Sequence, residues 1–343
     1  MKALKCVATD KIELQDVPLP KLRDDYILVK VNAVALNPTD WKHVASDGLA
    51  NPGSTVGCDF AGIVEEVGSK VSQPLKKGDR ICGWTHGVNK VNKEDGSFAE
   101  YAMVKGDVFI KTPDNLSDEE ASTLGIGITT VGQNLYQELG LPLPGEGPYN
   151  KPVLIYGGST ATGTLAVQYA KLSGAKVIAT CSPRNFDLLK SLGAEATFDY
   201  NDPECAKKIR EYTNDSLDVV LDCIAEGDSP KICEEAIGAK GGAVAGLLPT
   251  KHERKDVKTK GKLGYTVMGE AFPFFGNELP AMPQDREFGQ KFWSLSEKLL
   301  SAGSVKVHPT DVRKGGLEGV KEGLAELKSG KVSGVKLVYK IAN

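Results

Sequence analysis

The sequence contains neither an apolar run of membrane-spanning length nor a surplus of basic charge. No stretch approaches the roughly 20 apolar residues that a helix needs to cross a bilayer. The opening segment, MKALKCVATDKIELQD, lacks the apolar core of a signal peptide. Lys and Arg number 42 against 45 Asp and Glu, so the formal charge of −3 provides no basic field for nucleic acid. We therefore expect a cytoplasmic protein that has neither a membrane nor a nucleic acid as its partner.

Paired cysteines are lacking as well. The seven cysteines are scattered, odd in number and nowhere spaced as C-x-x-C. This pattern argues against a disulfide framework and against a cysteine-rich zinc knot. No repeat of solenoid or propeller period is present. The 343 residues are enough for two domains, each with its own core.

Residues 152–200 carry the main pattern that is present, a predicted βαβ unit with a phosphate site at its first turn. The apolar run 153–156 predicts a strand buried on both faces, and Gly157 and Gly158 end it. The turn matches G-x-G-x-x-G except that Thr160 stands at the middle glycine. The following helix would present unpaired N–H groups to a pyrophosphate. The expected contacts are Gly158, Ser159, Thr160, Ala161 and Thr162. The alternative, an ordinary strand-to-helix turn, fits the βαβ context less well.

The second predicted strand, residues 176–180, has no carboxylate at its carboxyl end. An Asp or Glu there would bind the ribose 2′-hydroxyl of NADH. A hydroxyl, a guanidinium and an amide favour the 2′-phosphate of NADPH instead. The segment consists of Ser182, Pro183, Arg184 and Asn185. The alternative is that Arg184 is only a solvated residue in the first turn of the next helix.

Hydrophobic periodicity predicts an α/β protein built from two domains. Strand candidates in the N-terminal part are residues 4–9, 26–36, 56–67, 79–84 and 98–104. Later candidates are a helix from the capping box of Ser117 and Glu120 toward residue 139, strands 217–224, 242–248 and 335–341, and helices 287–302 and 316–328. The βα repeats from residue 152 to about residue 250 predict a doubly wound parallel sheet. We assign this domain to residues 126–265 and a β-rich domain to residues 1–125 and 266–343.

Residues 251–262, KHERKDVKTKGK, form the one marked charge cluster. Six Lys or Arg against two acids give a local charge of +4 in an acidic chain. Such a run is usually a solvated loop. The other interpretation is a docking site for an acidic partner or for a phosphorylated substrate tail.

Several motifs together resemble the medium-chain dehydrogenase/reductase superfamily over nearly the whole chain. They are NPTD at 37–40, GCDFAGIV at 57–64, GDR at 78–80 and G-x-K-L-V from Gly334. Further segments resemble the fungal trans-acting enoyl reductases of iterative polyketide synthases more closely than quinone oxidoreductases. Those segments are YGGSTATG at 156–163, ATCSPRNFDLLKSLGAEATFDY at 179–200, LDCI at 221–224, LGLPLP at 139–144 and MGE at 268–270. The resemblance implies a GroES-like catalytic domain and a Rossmann domain that binds NADPH.

The ligands that zinc members of the superfamily need are absent. Asn37 stands where the first Cys ligand would be, and Cys58 with Asp59 replaces a His-Glu pair. No Cys follows Ala121 at the third position, and residues 81–99 hold one cysteine where a structural zinc needs four. We expect no metal. Hydrogen bonds or a side-chain cation must then polarise the substrate carbonyl, which favours reduction of a conjugated C=C bond.

The resemblance also implies site residues. Additional cofactor contacts would be Asn37, Pro38, Thr39, Asp40, Tyr200, Leu247, Leu248, Ser333 and Gly334. Lys42 and Thr130 would act on the substrate, and Gly269, Glu270 and Phe272 would line the acyl pocket, together with the rings that follow. The alternatives are a solvated Lys42, a Thr130 hydroxyl bonded to its own helix, and aromatic rings that are ordinary core. His43 and His86 are expected to be packing or surface residues.

Three functions remain open at this point. The first is NADPH-dependent reduction of an α,β-unsaturated polyketide thioester, in trans with a polyketide synthase and its acyl carrier protein. The second is a stand-alone reductase of small alkenals, quinones or aldehydes. The third is a nucleotide-binding subunit without catalysis. Nothing in the sequence requires an oligomer, and a monomer is compatible with it.

Overall fold

The structure, a computed structural model, describes residues 1–341, and the chain divides into two compact units. The β-rich unit comprises Met1–Thr129 and the chain from Tyr265 onward. The parallel-sheet unit comprises Thr130–Gly264. Among the helices of the described residues, none has both the length and the apolar character needed to cross a membrane.

The first stretch of the β-rich unit is mostly strand. Its elements are β1 (Lys2–Ala8), β2 (Lys11–Asp16), β3 (Tyr26–Ala35), α1 (Pro38–Ala45), β4 (Asp59–Val67), β5 (Arg80–Trp84), β6 (Tyr101–Lys105), β7 (Phe109–Lys111) and α2 (Asp118–Ala121). The helix α3 (Gly125–Val131) contains the boundary between the two units and continues as a π-helix, Gly132–Glu138.

Strands and helices alternate in the parallel-sheet unit. Its elements are β8 (Pro152–Tyr156), α4 (Ala161–Leu172), β9 (Lys176–Thr180), α5 (Phe186–Ser191), β10 (Ala196–Phe198), α6 (Cys205–Tyr212), β11 (Val219–Asp222), α7 (Ser229–Ala236), β12 (Gly242–Gly246) and β13 (Val257–Lys260).

The chain then returns to the β-rich unit through a short 3₁₀-helix, Gly264–Met268. The remaining elements are β14 (Phe272–Phe274), β15 (Asn277–Leu279), α8 (Pro283–Ser301), β16 (Thr310–Arg313), α9 (Gly316–Lys328) and β17 (Lys336–Lys340).

The central strand of the β-rich unit is β3, which pairs antiparallel with β4, β6 and β17. Because neighbours cover it, most of its residues are buried, and Phe60, Phe98 and Phe109 are fully buried in the same core. The last strand, β17, thus joins a sheet formed by the first third of the chain. This pairing places the start of β17 beside the residues that lead into α1.

The sheet of the parallel-sheet unit has the order β10-β9-β8-β11-β12-β13, and each pair is parallel. The order reverses between β8 and β11, so the carboxyl ends of these strands flank a switch point of a doubly wound sheet. The predicted α/β class with a Rossmann sheet is therefore confirmed.

Two segments differ from the sequence prediction. The predicted helix from Ser117 toward residue 139 is interrupted, as α2, α3 and a π-helix, although its capping box is present. Glycines in this segment lower its helix propensity and account for the breaks. Residues 251–262 are not simply a loop, because β13 lies within them as the sixth strand. The hydrophobic pattern did not predict this strand because lysines interrupt it, and charged residues of this kind are typical of exposed edge strands.

Candidate active site

The glycine-rich turn between β8 and α4 brings strand and helix into close contact. Gly157 has a φ of +72°, which a residue with a side chain rarely adopts. A Cβ on Gly163 would lie 2.3 Å from the carbonyl oxygen of Gly157. Glycine at these two positions therefore allows the first turn of α4 to pack directly on the strand end.

The hydroxyl of Thr160 caps α4. Its Oγ1 accepts a hydrogen bond from the N–H of Gly163 at 2.9 Å and donates one to the carbonyl oxygen of Gly157 at 2.9 Å. The threonine in place of a middle glycine thus stabilises the turn. Ser159 and Thr162 are half-buried beside it, as is Ala161. The N–H groups of Ala161 and Thr162 have no hydrogen-bond partner among residues 1–341.

The carboxyl end of β9 leads into a short 3₁₀ turn, Pro183–Asn185. The Oγ of Ser182 lies 3.2 Å from the hydroxyl oxygen of Tyr200, whose ring lies 6.3 Å from that of Tyr156. Arg184 is exposed and makes no ion pair within the described chain. The amide nitrogen of Asn185 is buried and has no partner there. The structure brings these predicted contacts to one strand end.

The next two strand ends are held by Asp222, to which the sequence assigned no role. This buried carboxylate accepts hydrogen bonds from the N–H groups of Ile224 and Ala225, each at 2.9 Å, and from the hydroxyl of Ser229 at 2.7 Å. Its backbone oxygen accepts from the N–H of Leu247 at 3.2 Å, which fixes the end of β12. Leu247 and Leu248 are half-buried at that end.

In the β-rich unit, the start of α1 is built by Asn37, Pro38 and Asp40. Pro38 occupies the first helical position, where no N–H is needed. The N–H of Asn37 donates to Oδ2 of Asp40 at 2.7 Å, while Oδ1 of Asp40 has no partner among the described residues. Burial raises the pKa of Asp40 to about 7, and the nearby charge of Asp59 adds to this.

A buried ammonium group neutralises the adjacent carboxylate. The Nζ of Lys336 lies 2.6 Å from Oδ2 of Asp59, 2.9 Å from Oδ1 of Asn37 and 3.0 Å from the carbonyl oxygen of Thr123. The other Asp59 oxygen accepts from the N–H of Ile126 at 2.7 Å. Since the side chains of Lys336 and Asp59 are at most 3% exposed, this pair holds β17, β4 and the start of α1 together.

Thr39 and Tyr265 stand beside this ion pair. The hydroxyl oxygens of Thr39 and Tyr265 are 3.1 Å apart, and the Tyr265 oxygen is 3.8 Å from Sγ of Cys58. Nδ1 of His43 lies 2.8 Å from the carbonyl oxygen and 2.9 Å from the hydroxyl oxygen of Thr39. Burial lowers the pKa of His43, so its ring is neutral near pH 7.

Aromatic rings surround Tyr265. The His86 ring stacks on it at a centroid distance of 4.0 Å, and the Phe272 ring lies 6.1 Å away and 5.1 Å from His86. Burial lowers the pKa of His86 to about 3. His43 and His86 are therefore packing residues, as expected.

Glu270 forms part of an ionic cluster. Its two carboxylate oxygens accept from the hydroxyl of Tyr26 at 2.8 Å, and one also lies 2.6 Å from Nζ of Lys105. Gly269, with a φ of +67°, turns the chain ahead of it. These contacts make Glu270 a structural residue, whereas the ring of Phe272 packs against the rings of His86 and Tyr265.

The remaining predicted residues are less tightly fixed. Lys42 is half-buried, with its ammonium 5.6 Å from the centroid of the Trp41 ring. Thr130 is half-buried in α3, and within the described chain its hydroxyl makes no hydrogen bond. Ser333 is exposed, and Gly334, with a φ of +72°, lies in the loop before β17.

Comparison with known proteins agrees with this architecture. Residues 23–114 match the alcohol dehydrogenase GroES-like domain, and residues 161–280 match the zinc-binding dehydrogenase family. The trans-enoyl reductase ACTTS2 of Alternaria alternata is 53% identical over 342 residues, which cover 99% of this chain and 98% of that relative. The chain belongs to the trans-enoyl reductase family. The predicted resemblance to the trans-acting enoyl reductases of the medium-chain dehydrogenase/reductase superfamily is confirmed.

Other trans-enoyl reductases are similar over their full length. The trans-enoyl reductase resD of Aspergillus sclerotiorum is 43% identical over 359 residues, which cover 99% of this chain and all of that relative. Among solved structures, a quinone oxidoreductase from Coxiella burnetii has a TM-score of 0.75 at 25% identity and covers 100% of this chain and 99% of its own.

The side chains of this trans-enoyl reductase do not fit a zinc ion. In residues 1–341, no group of three or more His, Cys, Asp and Glu side chains could hold a metal. Asn37 and Asp59, two of the positions compared above with zinc ligands, bind the ammonium of Lys336 instead. No step of the reaction proposed below uses a metal.

The parallel-sheet unit does fit a nicotinamide cofactor, which enzymes of this superfamily use. The unpaired N–H groups at the start of α4 suit a pyrophosphate. Gly163 permits the close helix packing, and the unpartnered amide of Asn185 is a donor at the end of β9.

Sequence reasoning missed Tyr265 and gave Lys336 no role. Lys336 had a recognisable signal, a lysine opening an apolar strand. Tyr265 had none, because Thr39, Cys58 and His86 meet it only in the fold.

Proposed function

We propose that the protein is an NADPH-dependent, zinc-independent enoyl reductase that acts in trans with a polyketide synthase. Its substrate is an α,β-unsaturated polyketide thioester, R–CH=CH–CO–SR′, and its product is the saturated thioester. The observation that carries this proposal is the full-length similarity to proteins named trans-enoyl reductases, at up to 53% identity among those described above.

Bound NADPH supplies the hydride that the β-carbon accepts. The electron pair of the C=C bond then moves toward the thioester oxygen as an enolate, and the α-carbon takes up a proton derived from solvent. The protein has to orient the acyl group and stabilise the enolate oxygen. Lys42 and Thr130 are our candidates for these tasks.

The choice of NADPH over NADH rests on the carboxyl end of β9. Residues 182–185 contain the hydroxyl of Ser182 and the exposed guanidinium of Arg184 but no carboxylate. The amide nitrogen of Asn185 is buried and donates no hydrogen bond within the described chain. A 2′-phosphate would accept hydrogen bonds from these groups. Contacts of Asn37, Thr39, Tyr200, Leu247 and the other residues named above with the cofactor belong to the same proposal.

The acyl carrier protein is the proposed partner, and residues 251–262 are its proposed contact. Lys251, Lys255 and Lys258 are exposed and form no ion pair within the described chain. By contrast, Arg254 is bonded to Asp256 and to the carbonyl oxygens of Glu234, Ile237 and Gly238, so it is structural. Three unpaired lysines suit an acidic protein surface.

The proposal is tested by NADPH oxidation with four substrates: an α,β-unsaturated pantetheine thioester, a free enal, a quinone and a saturated aldehyde. We expect turnover of the unsaturated thioester and none of the saturated aldehyde. The corresponding saturated thioester is the matched control. Turnover of the enal, quinone or aldehyde without the thioester would identify a stand-alone reductase. Tight NADPH binding without any turnover would identify a non-catalytic subunit.

A further inference from the structure

The hydroxyl of Tyr265 is a hydrogen-bond donor without a strong acceptor. Tyr265 is 4% exposed, and its ring is held by His86 at 4.0 Å, His43 at 5.3 Å and Trp84 at 5.4 Å between centroids. Its oxygen has two polar neighbours in the described chain, Thr39 and Cys58. The ring is thus fixed, and so is the position of the oxygen.

The directions of the hydrogen bonds follow from His43. Nδ1 lies 2.8 Å from the carbonyl oxygen of Thr39, and a carbonyl can only accept, so Nδ1 carries the hydrogen. The same N–H reaches the hydroxyl oxygen of Thr39 at 2.9 Å. The Thr39 hydroxyl then donates its own hydrogen to the Tyr265 oxygen at 3.1 Å. Consequently, the hydrogen of Tyr265 points away from Thr39.

The remaining neighbour, Cys58, is a weak acceptor. Its Sγ lies 3.8 Å from the Tyr265 oxygen, and burial raises the pKa of the thiol well above its usual range, so the sulfur stays protonated. The charged side chains nearby do not compete with Tyr265 as hydrogen-bond donors to a substrate. The ammonium of Lys336 has three acceptors, and Asp40 can only accept when it is ionised.

A series of aromatic rings in contact leads from the surface to the ring of Tyr265. Phe275 is 55% exposed, and its centroid lies 4.9 Å from that of Phe274. Phe274 lies 6.5 Å from Phe272, which lies 6.1 Å from Tyr265. These rings provide an apolar surface along which an acyl chain can pack, and Tyr265 stands at its buried end.

We propose that Tyr265 is a catalytic residue that donates a hydrogen bond to the thioester oxygen of the substrate, and that Thr39 and His43 position it. This inference rests on the proposed function, since it adds to the candidates Lys42 and Thr130 a further hydrogen-bond donor for the enolate oxygen. Tyr265 keeps its proton throughout, and the charge that develops on the oxygen strengthens the hydrogen bond. Burial raises the pKa of Tyr265, which keeps the hydroxyl protonated at all working pH values.

The test uses Tyr265→Phe, which removes the hydroxyl and keeps the ring. With the unsaturated pantetheine thioester we expect kcat to fall about 100-fold while KM changes less than about threefold, because the hydrogen bond strengthens mainly in the transition state. The isotope effect with deuterated NADPH should rise as hydride transfer becomes rate-limiting. Thr39→Val, which removes the hydroxyl, should lower kcat about tenfold. Thr39→Ser, which keeps the hydroxyl, should have the kcat of the wild type.

Tyr136→Phe is the matched control. It also removes a buried tyrosine hydroxyl, one bonded to the carbonyl oxygen of Tyr169 at 3.2 Å and lying 3.1 Å from the hydroxyl of Ser173. We expect its kcat to stay within twofold of the wild type. Thermal unfolding and NADPH binding of each variant separate a loss of chemistry from a loss of structure.

Trp84 offers the competing donor, because its indole nitrogen is buried without a partner among residues 1–341. A Tyr265→Phe variant with kcat within threefold of the wild type and an unchanged isotope effect would overturn the proposal, as would a large loss in Trp84→Phe alone.

If the wild type reduces only an enal, the same variants are compared on the enal. A loss in Tyr265→Phe would then support the donor role while rejecting the polyketide substrate. Wild-type protein that reduces no unsaturated carbonyl would overturn both.

Discussion

Arg184 is the residue on which the proposed cofactor preference depends most directly. It is exposed in the turn after β9, and within the described chain its guanidinium has no carboxylate partner. A free guanidinium at this position can bind a phosphate in a bidentate way. On the ribose of NADH, the same side chain would meet only neutral hydroxyl groups.

We expect Arg184→Ala to weaken NADPH binding about tenfold or more, because it removes a hydrogen bond between two charged groups. NADH binding should change less than about twofold. Fluorescence titration of both cofactors measures this. Lys190→Ala is the control, because Lys190 is an exposed cation on the following helix, α5. Equal losses for the two cofactors, or no loss for either, would show that the 2′-phosphate is bound elsewhere.

A single residue also explains why the nucleotide turn forms although its sequence departs from G-x-G-x-x-G. Thr160 replaces the middle glycine, and its hydroxyl joins the N–H of Gly163 to the carbonyl oxygen of Gly157. The backbone N–H groups that follow stay available for a ligand. A hydroxyl therefore rigidifies the turn without closing it.

At the scale of elements, α1 depends on a carboxylate that is costly to ionise. Asp40 holds the N–H of Asn37 at the helix start, and burial raises its pKa to about 7. The ordinary value is about 3.9, so between about pH 4 and pH 7 the folded protein keeps a proton that the unfolded chain has lost. The free energy of unfolding therefore falls as pH rises through this interval.

We expect Asp40→Asn to remove this pH dependence. Relative to the wild type, the variant should gain about 1 to 3 kcal/mol of stability between pH 5 and about pH 7.5, since one pKa unit is worth about 1.4 kcal/mol. Urea unfolding at several pH values without cofactor measures it. Asp47→Asn, an exposed carboxylate just after α1, should parallel the wild type. Parallel curves for Asp40→Asn as well would mean that Asp40 is ionised without penalty.

The strand β13 shows how an element can serve both fold and surface. It completes the parallel sheet at one edge, and three of its four residues are exposed. Lysines on such an edge discourage pairing with a strand of another chain. The same charges are available to an acidic partner, which is why we assign the carrier contact to this segment.

At the scale of the whole molecule, charge is unevenly distributed. The chain carries −3 overall, yet residues 251–262 carry six basic and two acidic side chains, or +4. Interactions among exposed charges are screened over about 10 Å at 0.1 M salt. Docking of an acidic carrier on this segment should therefore weaken as salt rises, while a small uncharged substrate should be indifferent to it.

We expect KM for a carrier-tethered thioester to rise about tenfold when Lys251, Lys255 and Lys258 are all changed to Glu, with the pantetheine thioester unaffected. Raising salt from about 0.05 M to about 0.5 M should have a similar effect on the wild type. Steady-state rates with both substrates measure this. Reversal of three exposed lysines elsewhere, Lys240, Lys298 and Lys314, is the control. An equal effect in the control set would show a general charge effect, and no effect in either set would place the carrier contact elsewhere.

The sequence by itself determined the parallel-sheet unit to a large extent. Its strand β8 is a short apolar run that Gly157 ends, and the hydrogen bonds of its nucleotide turn join residues that lie close together in the chain. The β9 strand and the α9 helix begin and end at the predicted residues. Local patterns suffice where contacts lie close together in the chain.

Only the tertiary structure decided the polar groups of the β-rich unit. The ammonium of Lys336 reaches Asn37 and Asp59 across 299 and 277 residues of chain, and the hydroxyl of Tyr265 reaches Thr39 across 226. No periodicity or motif encodes such pairs, because they form only when β17 and the 3₁₀ turn before β14 join a core built by the first third of the chain. The roles of Lys336 and Tyr265 therefore follow from burial and hydrogen-bond geometry.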